Sequence, residues 1–98
     1  MSYLDADAEL IRSCLPSGTG VPEESDDLFI LYAVLMRAKG EGTQASDVHD
    51  AWSAWMSRSE PDHESLRPYD QLAPAVQEED APFLVAIRDA ARARAEGC

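Results

Sequence analysis

The feature that most constrains the fold is an unbroken run of nine apolar residues, Leu28 to Met36. A run of this length suits either a buried strand or a buried helix. Its Leu, Ala and Met content favours the helix, and so do Arg37 and Gly40, because a cation and then a glycine are typical of a helix C-terminus. The run predicts a helix that begins near Ser25 and, being apolar on all sides, lies at the centre of a bundle.

Three further segments show the spacing of an amphipathic helix, with apolar residues every three or four positions. The first ends where Pro16 stops the pattern, and the second opens at Ser46. The third follows Asp80, which is expected to cap it, and has Pro82 in its first turn. The three apolar faces comprise Leu4, Ala8, Ile11 and Leu15; Val48, Ala51, Trp52, Trp55 and Met56; and Phe83, Leu84, Ile87 and Ala91.

Between the second and third of these segments, residues 57–73 show no helical period and contain Pro61 and Pro68. They predict a long loop with at most one helical turn near Tyr69, followed by a short acidic helix that begins at Pro74. Leu66, Tyr69 and Leu72 are spaced to pack back onto the core, which favours an ordered loop. The fold class expected for residues 1–98 is therefore all-α, one compact bundle of about four main helices, one or two short helices and this proline-containing loop.

The charge of the chain excludes several partners. Nineteen acidic residues against eight basic ones give a formal net charge of −11. A field of this sign repels the phosphates of nucleic acids and anionic membranes, so direct nucleic acid binding and membrane binding are not expected.

The N-terminal sequence lacks the features of a signal peptide, and no apolar run approaches the roughly eighteen residues of a membrane span. Cys14 and Cys98 do not form a disulfide framework, which predicts a cytoplasmic protein.

Motifs for known chemistry are missing from the sequence. It has no glycine-rich phosphate loop, and His49 and His63 stand apart from other metal-ligating residues. Cys14 lies on an apolar helix face, where burial makes a thiol inert. We therefore expect no metal, no cofactor and no catalytic residue, and a protein that is not an enzyme.

Three stretches carry the most specific pattern in the chain: VHDAWSAWM at 48–56, HESLRPYDQL at 63–72 and VQEEDAPFLVAIRDA at 76–90. Their order resembles the ryanodine-receptor-type repeat, the RyR domain, over residues 28–95. Such modules also occur in bacteria and phages, and the chain is similar to small acidic proteins of actinobacteria and their phages. The matching positions are His49, Trp52, His63, Leu66, Pro68, Tyr69, Leu72 and Asp80.

The RyR resemblance implies a helical module used for interaction or ligand sensing rather than chemistry. The first hypothesis is a non-enzymatic accessory module of phage or prophage origin that binds a host or self protein partner through a groove near Trp55, Arg67 and Tyr69. The second is an RyR-like sensor of a nucleotide-like small ligand, with Trp52 or Trp55 stacked on a ring and Arg67 holding an anion beside the Pro68 loop. The third is an acidic mimic of nucleic acid. The expected partner- or ligand-binding residues are Trp55, His63, Arg67, Tyr69 and Asp70.

Overall fold

A computed structural model describes residues 2–97, and it is built around the apolar run. The run forms most of a central helix, α2, and the other long helices pack around it. No strand occurs in the described residues, which confirms the all-α bundle. The helices are α1 (Tyr3–Ser13), α2 (Asp26–Lys39), α3 (Ala45–Met56), α4 (Pro74–Gln77) and α5 (Ala81–Gly97), with 3-10 turns at Gly40–Gly42, Tyr69–Gln71 and Glu78–Asp80.

The helix α2 supplies most of the core, as its apolar sequence predicts. Phe29, Tyr32, Ala33 and Met36 are at most 1% exposed and face α1, α3 and α5. Val34 is 47% exposed, so one strip of the helix reaches solvent. Burying side chains of this size contributes about 1.5–3 kcal/mol each for the larger ones, which makes α2 the main source of stability.

The helix ends follow local capping rules. Ser2 and Asp5 form a reciprocal capping box at the start of α1, and the backbone N–H of Ser2 donates to the Asp5 carboxylate at 2.8 Å. Gly40 ends α2 with a φ of 55°, a conformation that favours glycine. The next helix, α3, begins at Ala45, one residue before the Ser46 expected from the sequence.

Two polar ties connect the helices across the bundle. The Asp7 carboxylate, 8% exposed, accepts from Arg37 Nε at 2.5 Å and lies 3.6 Å from Arg94 Nε, so it joins α1 to α2 and α5. The Nε of Arg88 donates to the carbonyl of Thr43 at 2.8 Å, which joins α5 to the turn before α3. Each buried polar group in these ties therefore has a partner, as a stable interior requires.

The loop of residues 57–73 crosses from α3 to α4 and is fixed at its far end. The His49 ring donates to the carbonyl of Arg67, and the Gln77 side-chain amide donates to the carbonyl of Tyr69 at 2.8 Å. The helix expected at Pro74 is α4, which passes through a 3-10 turn directly into α5. This continuity brings Asp80 to the start of the last helix.

Two sequence expectations concern the chain's setting. Within residues 2–97, no helix is both long enough and apolar enough to cross a membrane. Cys14 is a free, half-buried thiol, whereas Cys98 lies outside the described residues.

Candidate functional site

An open cavity of about 620 Å³ lies where the loop meets the helices. Residues from six parts of the chain line it: the linker 16–25, α2, α3, the loop, the 74–80 segment and the start of α5. A volume of this size is in the range that holds a small organic molecule. The side chains that bear on its chemistry are Tyr32, His49, Trp52, His63, Glu79 and Asp80.

Tyr32 forms the floor of the cavity and has a hydroxyl group without a partner. The residue is only 1% exposed, yet no hydrogen bond among the described residues uses this hydroxyl. Every buried polar side-chain atom of residues 2–97 is paired, so the unpaired hydroxyl must reach the cavity surface. Burial, and to a smaller extent the Asp80 carboxylate, raises the pKa of Tyr32, so its hydroxyl keeps its proton.

Trp52 forms one wall between two imidazole rings. The His49 ring stacks on it with 5.6 Å between ring centroids, and the His63 ring meets it edge-on at 5.2 Å. The Nδ1 of His63 accepts from the backbone N–H of Ser65 at 3.0 Å, so neutral His63 carries its proton on Nε2. The indole therefore packs against two imidazole rings and lines the cavity beside them.

The protonation of His49 follows from its contacts. Its Nε2 lies 2.6 Å from the carbonyl oxygen of Arg67, and a carbonyl can only accept, so Nε2 carries a proton. Its Nδ1 faces the Asp80 carboxylate at 3.7 Å, which is too long for a hydrogen bond. His49 and Asp80 therefore face each other without a hydrogen bond between them.

Asp80 is the charged group set deepest in the cavity wall, with a side chain 13% exposed. Burial is the main cause that raises its pKa to about 6; His49 opposes this shift and the neighbouring Glu79 carboxylate adds to it. A perturbed carboxylate in a cavity is a recognised mark of a functional site. The residue expected only to cap α5 thus takes part in the cavity.

The cavity has a negative wall. Glu64 and Glu79 are exposed at its rim and Asp80 lies deeper, whereas no lysine or arginine is among the described residues that line it. The apolar part comes from Trp52 and Phe83, whose ring lies 5.7 Å from that of Tyr32. The cavity therefore combines aromatic surfaces with hydrogen-bond acceptors that carry charge.

Ser53, His49 and Asp80 stand in the order of a hydrolase triad, but their contacts do not permit its chemistry. Ser53 Oγ lies 3.3 Å from His49 Nε2. To act as a base, Nε2 must be free of a proton, whereas here it donates one to the Arg67 carbonyl. The described residues also contain no group of three or more His, Cys, Asp or Glu side chains placed to hold a metal ion.

The five residues expected at the site do not lie together in the structure. His63 lines the cavity. The side chain of Arg67 is exposed and lines neither of the two cavities. Arg67 contacts the site only through its backbone carbonyl, which accepts a hydrogen bond from His49. Tyr69 is half-buried with its ring 6.3 Å from that of His49, and Asp70 is exposed in the adjoining 3-10 turn.

Trp55 lies at a second, shallower cavity of about 440 Å³ between the linker and the C-terminal end of α3. Glu23, Glu24, Asp27 and Glu60 line this groove, with Arg58 as its one cation among the described residues. The two tryptophans, expected on one helix face, both pack against the core but border different cavities.

Tyr32 and Asp80 are the site residues that sequence reasoning missed. Tyr32 lies within the apolar run and has the pattern of a core residue. Asp80 follows two glutamates before a helix, which is the pattern of a cap. The one available signal was the tyrosine hydroxyl, a polar group that needs a partner at the centre of a buried helix.

A comparison with models of protein families assigns the chain to one family. The model of a family described as "Domain of unknown function (DUF7701)" matches residues 2–92. No curated protein and no solved structure matches the chain.

Proposed function

The chain belongs to the DUF7701 family, whose function is unknown, and we propose that it is a non-enzymatic module that binds a small molecule in the cavity above Tyr32. The proposal follows the RyR-like sensor hypothesis in its general form. It places the ligand against Trp52 rather than Trp55, because Trp52 borders the larger cavity.

The unpaired hydroxyl of Tyr32 is the observation that carries this proposal. The residue is 1% exposed, yet its hydroxyl reaches the cavity surface with no partner from the described residues, so it is free to bond water or a ligand. Here it opens into a cavity with an aromatic wall and an ionisable carboxylate. A ligand that bonds the hydroxyl and covers Trp52 would use a hydrogen-bonding group that the fold leaves free.

A fragment screen by two-dimensional NMR tests the proposal. The indole N–H groups of Trp52 and Trp55 give two separate signals, which the Trp55→Phe variant assigns. We expect hits that shift the Trp52 indole and the backbone of residues 63–65 and 79–83, and leave Trp55 unmoved. A library of several charge classes that gives no hit at these residues contradicts the proposal.

The matched control for the screen is a pair of tyrosine variants. Tyr32→Phe removes the hydroxyl at the cavity floor, and Tyr3→Phe makes the same change at a residue 64% exposed. We expect hits that bond the hydroxyl to bind about five- to tenfold more weakly to the first variant, the value of one neutral hydrogen bond, and equally to the second.

The groove beside Trp55 favours a second candidate function, binding to a protein partner. A tryptophan beside four carboxylates suits a basic segment, since large aromatic residues often anchor interfaces and opposite charge guides association. The test is capture of a partner from host lysate by the wild type, with Trp55→Ala and Trp52→Ala as parallel baits. Loss with the first variant alone supports this candidate. Under either candidate we propose that the protein acts in the cytoplasm.

A further inference from the structure

We infer that the ligand of the Tyr32 cavity is an organic cation, a protonated amine, amidine or guanidine on a flat apolar body. The inference rests on the proposed function and names its ligand class. It follows from three features of the cavity: the charge of its lining, the lack of a bonded cation at Asp80, and the aromatic surfaces.

The charge of the lining favours a cation over an anion. Three carboxylates, Glu64, Glu79 and Asp80, border the cavity, and none of the described lining residues is a lysine or arginine. An anion placed here meets the like charges of these carboxylates, and their repulsion disfavours it. The phosphates of a nucleotide-like ligand would therefore be disfavoured, unlike a group with N–H donors.

The second feature is that the fold leaves Asp80 without a bonded cation. Its nearest basic atom is His49 Nδ1 at 3.7 Å, beyond hydrogen-bond distance. The buried carboxylate of Asp7, by contrast, already has a guanidinium at 2.5 Å. Asp80 can therefore accept charged hydrogen bonds from a ligand, and the Tyr32 hydroxyl can accept another through its oxygen.

Aromatic surfaces are the third feature. Cations bind favourably to the faces of tryptophan, tyrosine and phenylalanine. This chain makes that contact twice, with Arg12 over Phe29 at 4.1 Å and Arg37 over Tyr3 at 4.5 Å. In the cavity, Trp52 and Phe83 offer such surfaces without a protein cation on them. A flat cation can therefore place its body on the indole and its charge at Asp80.

The experiment uses three probes of one shape and different charge: benzamidine, benzamide and benzoate. Each is titrated into the full chain at neutral pH while the indole and backbone N–H signals are followed by NMR. We expect benzamidine to shift the Trp52 indole and the backbone N–H signals of residues 79–81 and 83. We also expect it to bind at least about tenfold more tightly than benzamide, as expected for a charge-assisted hydrogen bond. Benzoate is expected to cause no shift there.

Two variants locate the charge contact. Asp80→Asn keeps the shape of the side chain and removes its charge, and we expect it to weaken benzamidine binding about tenfold or more. Glu78→Gln removes a charge two positions earlier, at an exposed residue that does not line the cavity, and serves as the control. We expect it to change affinity less than twofold.

Several results overturn the inference, and they are separable from failure of the proposed function. Benzamide or benzoate binding as tightly as benzamidine would contradict the cation class while leaving a small-molecule site in place. Shifts confined to Trp55 would place the cation in the acidic groove and contradict the inference. Benzamidine that fails to bind up to its solubility also contradicts it, and the fragment screen then decides on the proposed function alone.

Discussion

Two carboxylates of this bundle, Asp7 and Asp80, are buried to a similar degree, but only Asp7 is paired with cationic side chains. The Asp7 side chain is 8% exposed and the Asp80 side chain 13%. Asp7 lies between the guanidinium groups of Arg37 and Arg94. Asp80 faces one imidazole across 3.7 Å, and burial raises its pKa to about 6.

The charge of Asp7 therefore stabilises the fold, whereas the charge of Asp80 is left free to bind a ligand. The two arginines satisfy Asp7 and connect three helices, which makes it part of the scaffold. The burial of Asp80 is not compensated by a bonded cation, so its charged form lowers stability. Its carboxylate oxygens can still accept hydrogen bonds from a ligand. Groups that a protein retains at a cost to stability are typical of functional sites.

The largest expected effect is at Asp7. Asp7→Asn leaves the side chain in place but removes the charge that Arg37 and Arg94 contact. We expect the free energy of unfolding to fall by about 2 kcal/mol, the value of a charged hydrogen bond. Urea denaturation at neutral pH measures it, with the exposed Glu9→Gln as a control that changes stability by less than about 0.5 kcal/mol.

The opposite sign is expected at Asp80. Its folded pKa of about 6 exceeds the ordinary 3.8, so the native state holds a proton that the unfolded chain releases. The stability contribution of Asp80 is therefore present below about pH 4 and is lost as the pH rises through 6. At neutral pH we expect Asp80→Asn to raise the free energy of unfolding by about 1 kcal/mol, less than the full shift implies because water enters the cavity.

If the ionised carboxylate of Asp80 causes this increase in the free energy of unfolding, the increase must depend on pH. We expect wild type and Asp80→Asn to unfold at the same urea concentration well below pH 3.8, where the carboxyl group is neutral in both the folded and the unfolded state. A variant that is less stable than the wild type at neutral pH would show that His49 and Asp80 form a net stabilising pair. In that case Asp80 would stabilise the fold as Asp7 does, and the contrast between the two carboxylates would be wrong.

The smallest expected effect is at Tyr32. Its hydroxyl has no partner among residues 2–97, so Tyr32→Phe removes no hydrogen bond from the folded state. We expect a change in the free energy of unfolding of less than about 0.5 kcal/mol, despite a residue only 1% exposed. Thermal unfolding followed by circular dichroism tests this. A loss above about 1 kcal/mol would reveal an internal bond and remove the main support for a ligand.

Most of the scaffold could be predicted from the sequence because its signals are local. Pro16 and Gly40 end α1 and α2 near where the pattern places them, and Pro74 starts α4. Periodicity also identified the stripe that contains Trp52 and Trp55. Such signals depend on neighbours three or four positions away, which the sequence displays directly.

The cavity could not be predicted in the same way, because distant segments form it. His63 was expected at the site and lines the cavity, but Trp55 borders the other groove and Arg67 points its side chain to solvent. The relation between His49 and Asp80 spans 31 positions and depends on how α5 packs. No periodic pattern encodes such a contact.

The hydrogen bond from His49 to the Arg67 carbonyl has a consequence for sequence divergence. A main-chain oxygen is present whatever side chain occupies position 67, so that position is free to drift among relatives without loosening the loop. Position 49 has less freedom, because its ring both donates to the loop carbonyl and stacks on Trp52. Homologues that keep this cavity are therefore expected to vary at 67 and to retain histidine at 49.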